Sequence, residues 1–309
     1  MIEVPELDTA LIEGYLDELR LLYGRSSNTV DAYYRDLRKV NEMLVIQGKG
    51  FLGAQDCDVR ELLLKLKSEM ADSSIARLMS VLRNFYRWLV DSGSLDSSPV
   101  GDIEVPKIPY LLPEVISTEE VERLIAAIDV RSATGMRDRV IVELLYGSGL
   151  RVSEATSLDL NDLVDSQGII RVIGKGQKTR LVPLTGICES VLSNYIFDGY
   201  RSTLQGDKRT AAVFLSTRGT RLSRQAIWQM VRNYALNAGI RTAIHPHTLR
   251  HSCATHMVNG GADIRVVQEL LGHSSLATTQ IYTHVNPERL QSVYRKCHPR
   301  AEINGETYL

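Results

Sequence analysis

The chain of 309 residues has only four cysteines, Cys57, Cys188, Cys253 and Cys297, and no two of them form a CxxC pair. That excludes a disulfide-built scaffold and the usual cysteine metal knuckles, and leads us to expect free thiols in a reducing compartment, the cytoplasm. No apolar run approaches the roughly 20 residues of a helical membrane span. The opening segment 1–20 is acidic and broken, so it does not read as a signal peptide. There are no internal repeats and no low-complexity segment. An excess of charge of one sign is also missing, because 36 basic residues face 37 acidic ones and the net charge is −1. Histidine is absent from the first 244 residues, and all seven lie after that point.

The even charge balance hides an asymmetry. Residues 1–106 carry a net charge of −6 and residues 107–309 a net of +5. Within 171–241 twelve basic residues meet three acidic ones, Glu189, Asp198 and Asp207. A run of that kind is most often a solvated face. A phosphate-tracking surface is the alternative.

Four of the nine prolines, Pro99, Pro106, Pro109 and Pro113, fall within fifteen residues and cannot continue a helix. They predict a linker over 99–113, beginning to loosen near Gly93. It separates a helical N-terminal domain, 1–98, from a second domain, 114–301, which is followed by an acidic tail, 302–309. In the first domain Ser26 to Asn28 could cap a helix that carries Val30, Tyr33, Leu37, Val40 and Leu44 on one face. Over 74–91 the stripe of Ile75, Leu78, Met79, Leu82, Phe85, Tyr86 and Leu89 faces away from Arg77, Ser80, Asn84 and Arg87, with Arg83 on their flank. That polar stripe is either a solvated surface or a grip on DNA. The second domain reads as mostly helical with a short sheet. A helix is expected to start at Ser117, and another runs from Met136 to Leu145. Strands Ile169–Ile173 and Thr179–Leu184 flank a glycine-rich hairpin tip. Further helices are expected over Ser223–Leu236, Pro246–Val258, Ile264–Leu271 and Pro287–Arg295. The fold class is therefore mainly α with a small antiparallel β-sheet, in two domains.

The chemistry-bearing residues cluster late in the chain. His247 and Arg250 are three apart on a helix and share a face. An arginine fork beside an imidazole suits a phosphate. His247 and His251 also have the four-residue spacing of a zinc protease helix, but Thr248 stands where that motif needs Glu. His251 and His256 read as structural. Gly174-Lys175-Gly176 fails as a P-loop, because Gly176 follows the lysine and a strand comes next. Tyr282, one of thirteen tyrosines, stands out only through its neighbourhood, from Leu271-Gly272-His273 to His284.

These residues together resemble the tyrosine recombinases. Gly149-Leu150-Arg151-Val152-Ser153-Glu154 is similar to the first arginine box of that family. His247-Thr248-Leu249-Arg250-His251 is similar to the second box, and Leu271-Gly272-His273 with Tyr282 nine residues later resembles the third. Gly174 to Lys178 resembles the β-hairpin that carries the family's lysine. The resemblance covers roughly 10–301 and is specifically to the Xer chromosome-dimer resolvases (XerC/XerD-like). The interval from Arg151 to His247 leaves no room for the insertion of integron integrases, and no arm-binding domain of the phage lambda type is expected. Ala155-Thr156 departs from the usual Xer residues, and so does the tail 302–309.

The resemblance implies a two-domain C-shaped clamp around duplex DNA and a catalytic set of Arg151, Lys175, His247, Arg250, His273 and Tyr282. Tyr282 is the nucleophile and forms an O-(3′-phospho-DNA)-tyrosine. Glu154 supports the active-site cations from behind. DNA contacts are expected at Arg77, Arg83, Asn84, Arg87, Lys178, Arg180, Arg221 and Arg224. No metal and no cofactor is expected, since arginines and a lysine do the work of Mg²⁺. The implied partners are double-stranded DNA at a dif-like site, a second Xer recombinase in a heterotetramer or the chain itself in a homotetramer, and an FtsK-type translocase. Each C-terminal segment is expected to dock on a neighbour. The rival readings are a mobile-element integrase with the same chemistry, a nicking topoisomerase, and an architectural DNA-binding protein without catalysis.

Overall fold

The structure is a computed structural model, and it describes residues 4–101, 103, 114–164, 168–174, 179–272, 292, 293 and 295–300, with the side chains of residues 4 and 5 left aside. The chain forms two compact units, Met1–Leu111 and Leu112–Leu309.

The first unit holds four helices: α1 Val4–Leu21, α2 Ser27–Ile46, α3 Asp56–Lys67 and α4 Asp72–Asp91. Ser26 caps α2 by accepting from the Thr29 N–H, as its place before a run of helical periodicity predicts. Helix α4 begins two residues ahead of its predicted start, behind Ala71, which makes no side-chain cap. Its whole apolar stripe is buried, and Val81 with it. Phe85 packs edge-on against Phe51 at 4.8 Å between ring centroids and against Tyr15 at 5.3 Å. Such contacts make aromatic truncation here cost roughly 3–5 kcal/mol. On the opposite stripe Arg77, Ser80 and Arg87 are exposed, and two arginines hold partners within the unit. Arg77 pairs with the buried Asp36 at 2.7 Å, and Arg83 donates to the Ile103 carbonyl at 2.6 Å. Asn84 and Arg87 line a cavity of about 450 Å³ beside Tyr15, Tyr33 and Trp88.

The second unit is built around α6, Ala133–Tyr146, in which every residue from Gly135 onward is buried. A helix enclosed on all sides shows weak amphipathicity, so its onset is hard to read from pattern. It starts three residues before the predicted Met136, because the Ser132 hydroxyl accepts from the Gly135 N–H. Around it lie α5 Thr118–Ala126, α7 Val152–Ser157, α8 Gly186–Phe197, α9 Tyr200–Gln205, α10 Arg224–Asn237, α11 Pro246–Asn259 and α12 Ile264–Leu271. Ser117 makes the capping box with Glu120 that starts α5. The antiparallel sheet runs β1 Leu163–Val164, β2 Ile169–Ile173 and β3 Thr179–Pro183 in that order. Strand β1 adds a third member to the two expected; two residues carry no periodicity to find. Helices α8 and α9 also go beyond the sequence reading, since apolar residues such as Ile187, Val191, Leu192, Ile196 and Phe197 are spread over α8 rather than along one stripe.

The chain returns to α6 near its end. Arg300 makes a two-pronged ion pair with Glu143 (2.8 and 2.9 Å), a residue with no exposed surface that also pairs with Arg139 at 3.0 Å. The buried ring of His298 lies against Tyr146 and its Nε2 is 3.3 Å from the Tyr146 carbonyl oxygen. Residues 298 and 300 thus pack on their own unit. The hairpin tip at 175–178, most of the expected helix Pro287–Arg295, nearly all of the linker and the acidic tail lie outside the described residues.

Candidate active site

Helix α6 ends in Gly147-Ser148-Gly149. Gly149 has φ +61°, and a Cβ there would meet Leu271 Cδ2 at 2.4 Å. Only glycine lets this turn lie against the end of α12. Two residues on, Arg151 is the N-cap of α7, and Glu154 in the first turn reaches back to accept from the Arg151 backbone N–H at 2.8 Å. The spacing of the first box is therefore a capping geometry as well as a functional one.

Glu154 is 3% exposed and is the centre of the cluster. Its Oε1 accepts from Arg151 Nη1 and from Arg180 Nη1, both at 2.8 Å. Its Oε2 accepts from Arg180 Nη2 at 3.0 Å, and Arg250 Nη1 lies 3.8 Å away. Burial would push this carboxyl up, but the Arg180 hydrogen bonds, the Arg151 N–H, the Arg180 charge and the Arg151 side-chain hydrogen bond outweigh it and hold the group below the usual carboxylate range. Three guanidinium groups thus meet one carboxylate, and the cluster keeps a surplus of positive charge. A phosphate is the natural counterpart of such a surplus.

Arg250 comes from α11, one turn after His247. It is nearly enclosed and donates to the carbonyls of Gly149 and Leu271. Burial, and then the neighbouring Arg151 charge, pull it down to about 10, so it stays cationic at neutral pH. Arg151 is the more open of the two, with a side chain 39% exposed, and it donates to the Gly272 carbonyl at 2.8 Å. The two arginines of the first and second boxes are therefore brought together, and both hold the last turn of α12, where Gly272 has φ +64°. His247 stands at an exposed position near the start of α11, where Pro246 takes the first turn. Partial burial, followed by the charges of Arg250 and Arg151 among others, lowers its pKa, so the imidazole is neutral at pH 7 and can take a proton. His256 belongs to packing, with Nδ1 2.8 Å from the Tyr146 hydroxyl. Among the described residues no group of three or more His, Cys, Asp or Glu is placed to hold a metal ion. Lys175, Lys178, His273 and Tyr282 lie outside the described residues.

The basic run 171–241 is divided by the structure. Arg201 is buried and donates to the carbonyls of Thr210 and Ala212. Arg171 pairs with Asp162, Arg221 with Asp159, and Arg180 with Glu154. Arg209, Arg218, Arg224, Arg232 and Arg241 are exposed. Arg180, expected on DNA, pairs with Glu154, a contact the sequence alone did not indicate. Strand alternation carries the signal: Val182 is buried, and Arg180 two residues earlier is on the same face.

Residues 12–93 match the Phage integrase, N-terminal SAM-like domain, and residues 114–289 match the Phage integrase family. The chain is 43% identical to tyrosine recombinase XerD of Shewanella oneidensis over 291 residues, which is 94% of this chain and 97% of that protein. It is 41% identical to tyrosine recombinase XerD of Pseudomonas aeruginosa over 295 residues, 95% of this chain and 99% of that one. Two solved structures share the fold. Lambda integrase (75–356), as a dimer bound to a COC′ core site, has a TM-score of 0.67 at 18% identity and covers 88% of this chain and 98% of its own. XerH recombinase bound to palindromic difH substrate has a TM-score of 0.65 at 22% identity and covers 92% and 83%. No helix among the described residues is long and apolar enough to cross a membrane. The chain belongs to the phage integrase family as an Xer-type tyrosine recombinase, an enzyme of site-specific DNA recombination.

Proposed function

We propose that this recombinase resolves chromosome dimers at a dif-like site during cell division, acting in the cytoplasm on double-stranded DNA. The Tyr282 hydroxyl attacks the scissile phosphate, the bond from phosphorus to the 5′ oxygen breaks, and a 3′-phosphotyrosine forms. His247 takes the tyrosine proton and Lys175 gives one to the departing 5′ oxygen, a pair of tasks that each contribute roughly 10²–10⁴-fold. Arg151, Arg250 and His273 stabilise the extra negative charge of the pentacoordinate phosphorus. A 5′ hydroxyl from the partner strand then attacks the phosphotyrosine, which releases Tyr282 and leads to strand exchange through a Holliday junction. The bond energy stays in the covalent intermediate, so the chemistry requires no nucleotide.

The observation that carries this reading is the meeting of Arg151 and Arg250, from elements far apart in sequence, on one buried carboxylate and on the end of α12. A guanidinium has five donors. Arg250 commits only some of its own to the backbone of Gly149 and Leu271, which leaves donors for a phosphate.

The proposed partners are a second Xer recombinase in a heterotetramer, or the chain itself in a homotetramer, and an FtsK-type translocase. DNA contacts are proposed at Asn84, Arg87, Lys178 and Arg224, with Arg77, Arg83 and Arg221 beside them. The test uses a supercoiled plasmid with two copies of the dif-like sequence from the source chromosome. Recombination that depends on this sequence, and on a second Xer protein or the translocase, is the expected result. Recombination only between the ends of a mobile element would replace this reading with that of an integrase.

A further inference from the structure

Arg180 is the second residue of β3, opposite Val172 of β2, and so stands at the root of the hairpin whose tip holds Lys175. Its two terminal nitrogens grip both oxygens of Glu154. The same two oxygens hold Arg151, one through the guanidinium and one through the backbone N–H. The side chain is 20% exposed, which is little for an arginine meant to lie along a DNA backbone. Its Nε is buried and has no hydrogen-bond partner among the described residues. The guanidinium lies against Gly272, where a Cβ would come 3.3 Å from Arg180 Cζ and Nε. Burying an arginine with a spare donor is costly. Here it ties three separate pieces together: the root of the β2–β3 hairpin, the Arg151 cap of α7, and the end of α12.

We infer that Arg180 is a positioning residue for the reaction, fastening the lysine-bearing hairpin to the Glu154–Arg151 unit so that the proton donor and the phosphate clamp share one frame. The inference rests on the proposed role of Lys175 as the proton donor. Lysine in place of Arg180 keeps the charge but gives one point of attachment instead of a planar fork. Glutamine loses both.

The experiment compares single-turnover cleavage of a saturating suicide DNA substrate with cleavage of the same DNA carrying a 5′-bridging phosphorothiolate. Sulfur leaves without a proton, so a variant that has only lost proton delivery recovers on the second substrate. Wild type, Arg180→Gln, Arg180→Lys and Lys175→Ala are measured side by side, with half-site binding and thermal melting of each. We expect Arg180→Gln to cleave ordinary DNA at least about ten-fold more slowly than wild type, a part of the roughly 10²–10⁴-fold that a general acid contributes. We expect most of that loss to return on the phosphorothiolate, binding to stay within about three-fold, and Arg180→Lys to fall between. If Arg180→Gln does not fold, the Lys variant carries the same comparison. An equal defect on both substrates, beside a recovered Lys175→Ala, would overturn the role of Arg180 alone. So would weakened binding with an unchanged rate, which would return Arg180 to the DNA contacts. If Lys175→Ala itself fails to recover, the proton-donor reading of Lys175 fails first, and the inference about Arg180 falls with it.

Discussion

At the scale of single residues, the second unit keeps ionisable groups inside by giving each a partner. Glu154 stays charged because its arginines repay its desolvation. His298 takes the other course and stays neutral. Burial pushes its pKa down to about 4, with the Tyr146 contact opposing only in part. The unfolded chain takes up this proton near 6.5 and the folded chain only near 4, so between those values the unfolded state binds more protons. The His298 contribution is whole above about pH 6.5 and is lost as pH falls toward 4, on the order of 3 kcal/mol over the full window. Urea unfolding of wild type and His298→Gln at pH 7.5, 6, 5 and 4.5 checks this. The stability of wild type should fall more steeply with acid than that of the variant; parallel curves would mean that His298 does not carry the dependence.

At the scale of elements, α6 is the post around which the second unit is assembled, and its two ends serve different purposes. Beyond its C-terminus the Gly149 turn supports Arg151. Within it, Glu143 receives Arg300 from the end of the chain. Removing one partner of a buried ion pair typically costs about 3–5 kcal/mol when the remaining charge stays buried. Arg300→Met, which leaves Arg139 on Glu143, should cost less than that in global stability. It should free the segment near 298 and speed its cleavage by a nonspecific protease several-fold under native conditions. Unchanged proteolysis would show that this pair does not anchor the C-terminal segment. Much of this architecture was legible in the sequence where a local signal existed. Ser26, Ser117 and Ser223 announced their helices, and the helix Ile264–Leu271 has the expected bounds. The signal failed where tertiary packing decides. Helix α8 spreads its apolar residues, β1 is too short to have a period, and the Glu143–Arg300 pair spans 157 residues. Arg151 was legible through the resemblance of its box, and Arg250 through its place three residues after His247 on an expected helix. The contact of Arg180 with Glu154 was not legible, because a basic run invites a surface reading and only the alternation along β3 turns the side chain inward.

At the scale of the whole molecule, a net charge of −1 is compatible with DNA work because the charge is segregated along the chain. Several basic residues of the 171–241 run are spent on the protein itself, so exposed positions such as Arg218, Arg224 and Arg232 remain for phosphates. Each phosphate they neutralise should add about −0.9 to the log–log slope of affinity against salt. Arg224→Gln should make that slope shallower by about one such step, measured by half-site titration from low to moderate salt. Covalent capture of DNA by Tyr282, without metal, is the central step of the proposed function. The most direct measurement incubates wild type and Tyr282→Phe with a nicked suicide substrate of the dif-like site in EDTA, denatures the mixture, and maps the adduct by peptide mass. Wild type should carry a DNA strand through its 3′ phosphate on Tyr282, and the Phe variant should bind the same DNA and carry none. An adduct on the Phe variant, on another residue, or only when a divalent metal is restored would contradict it.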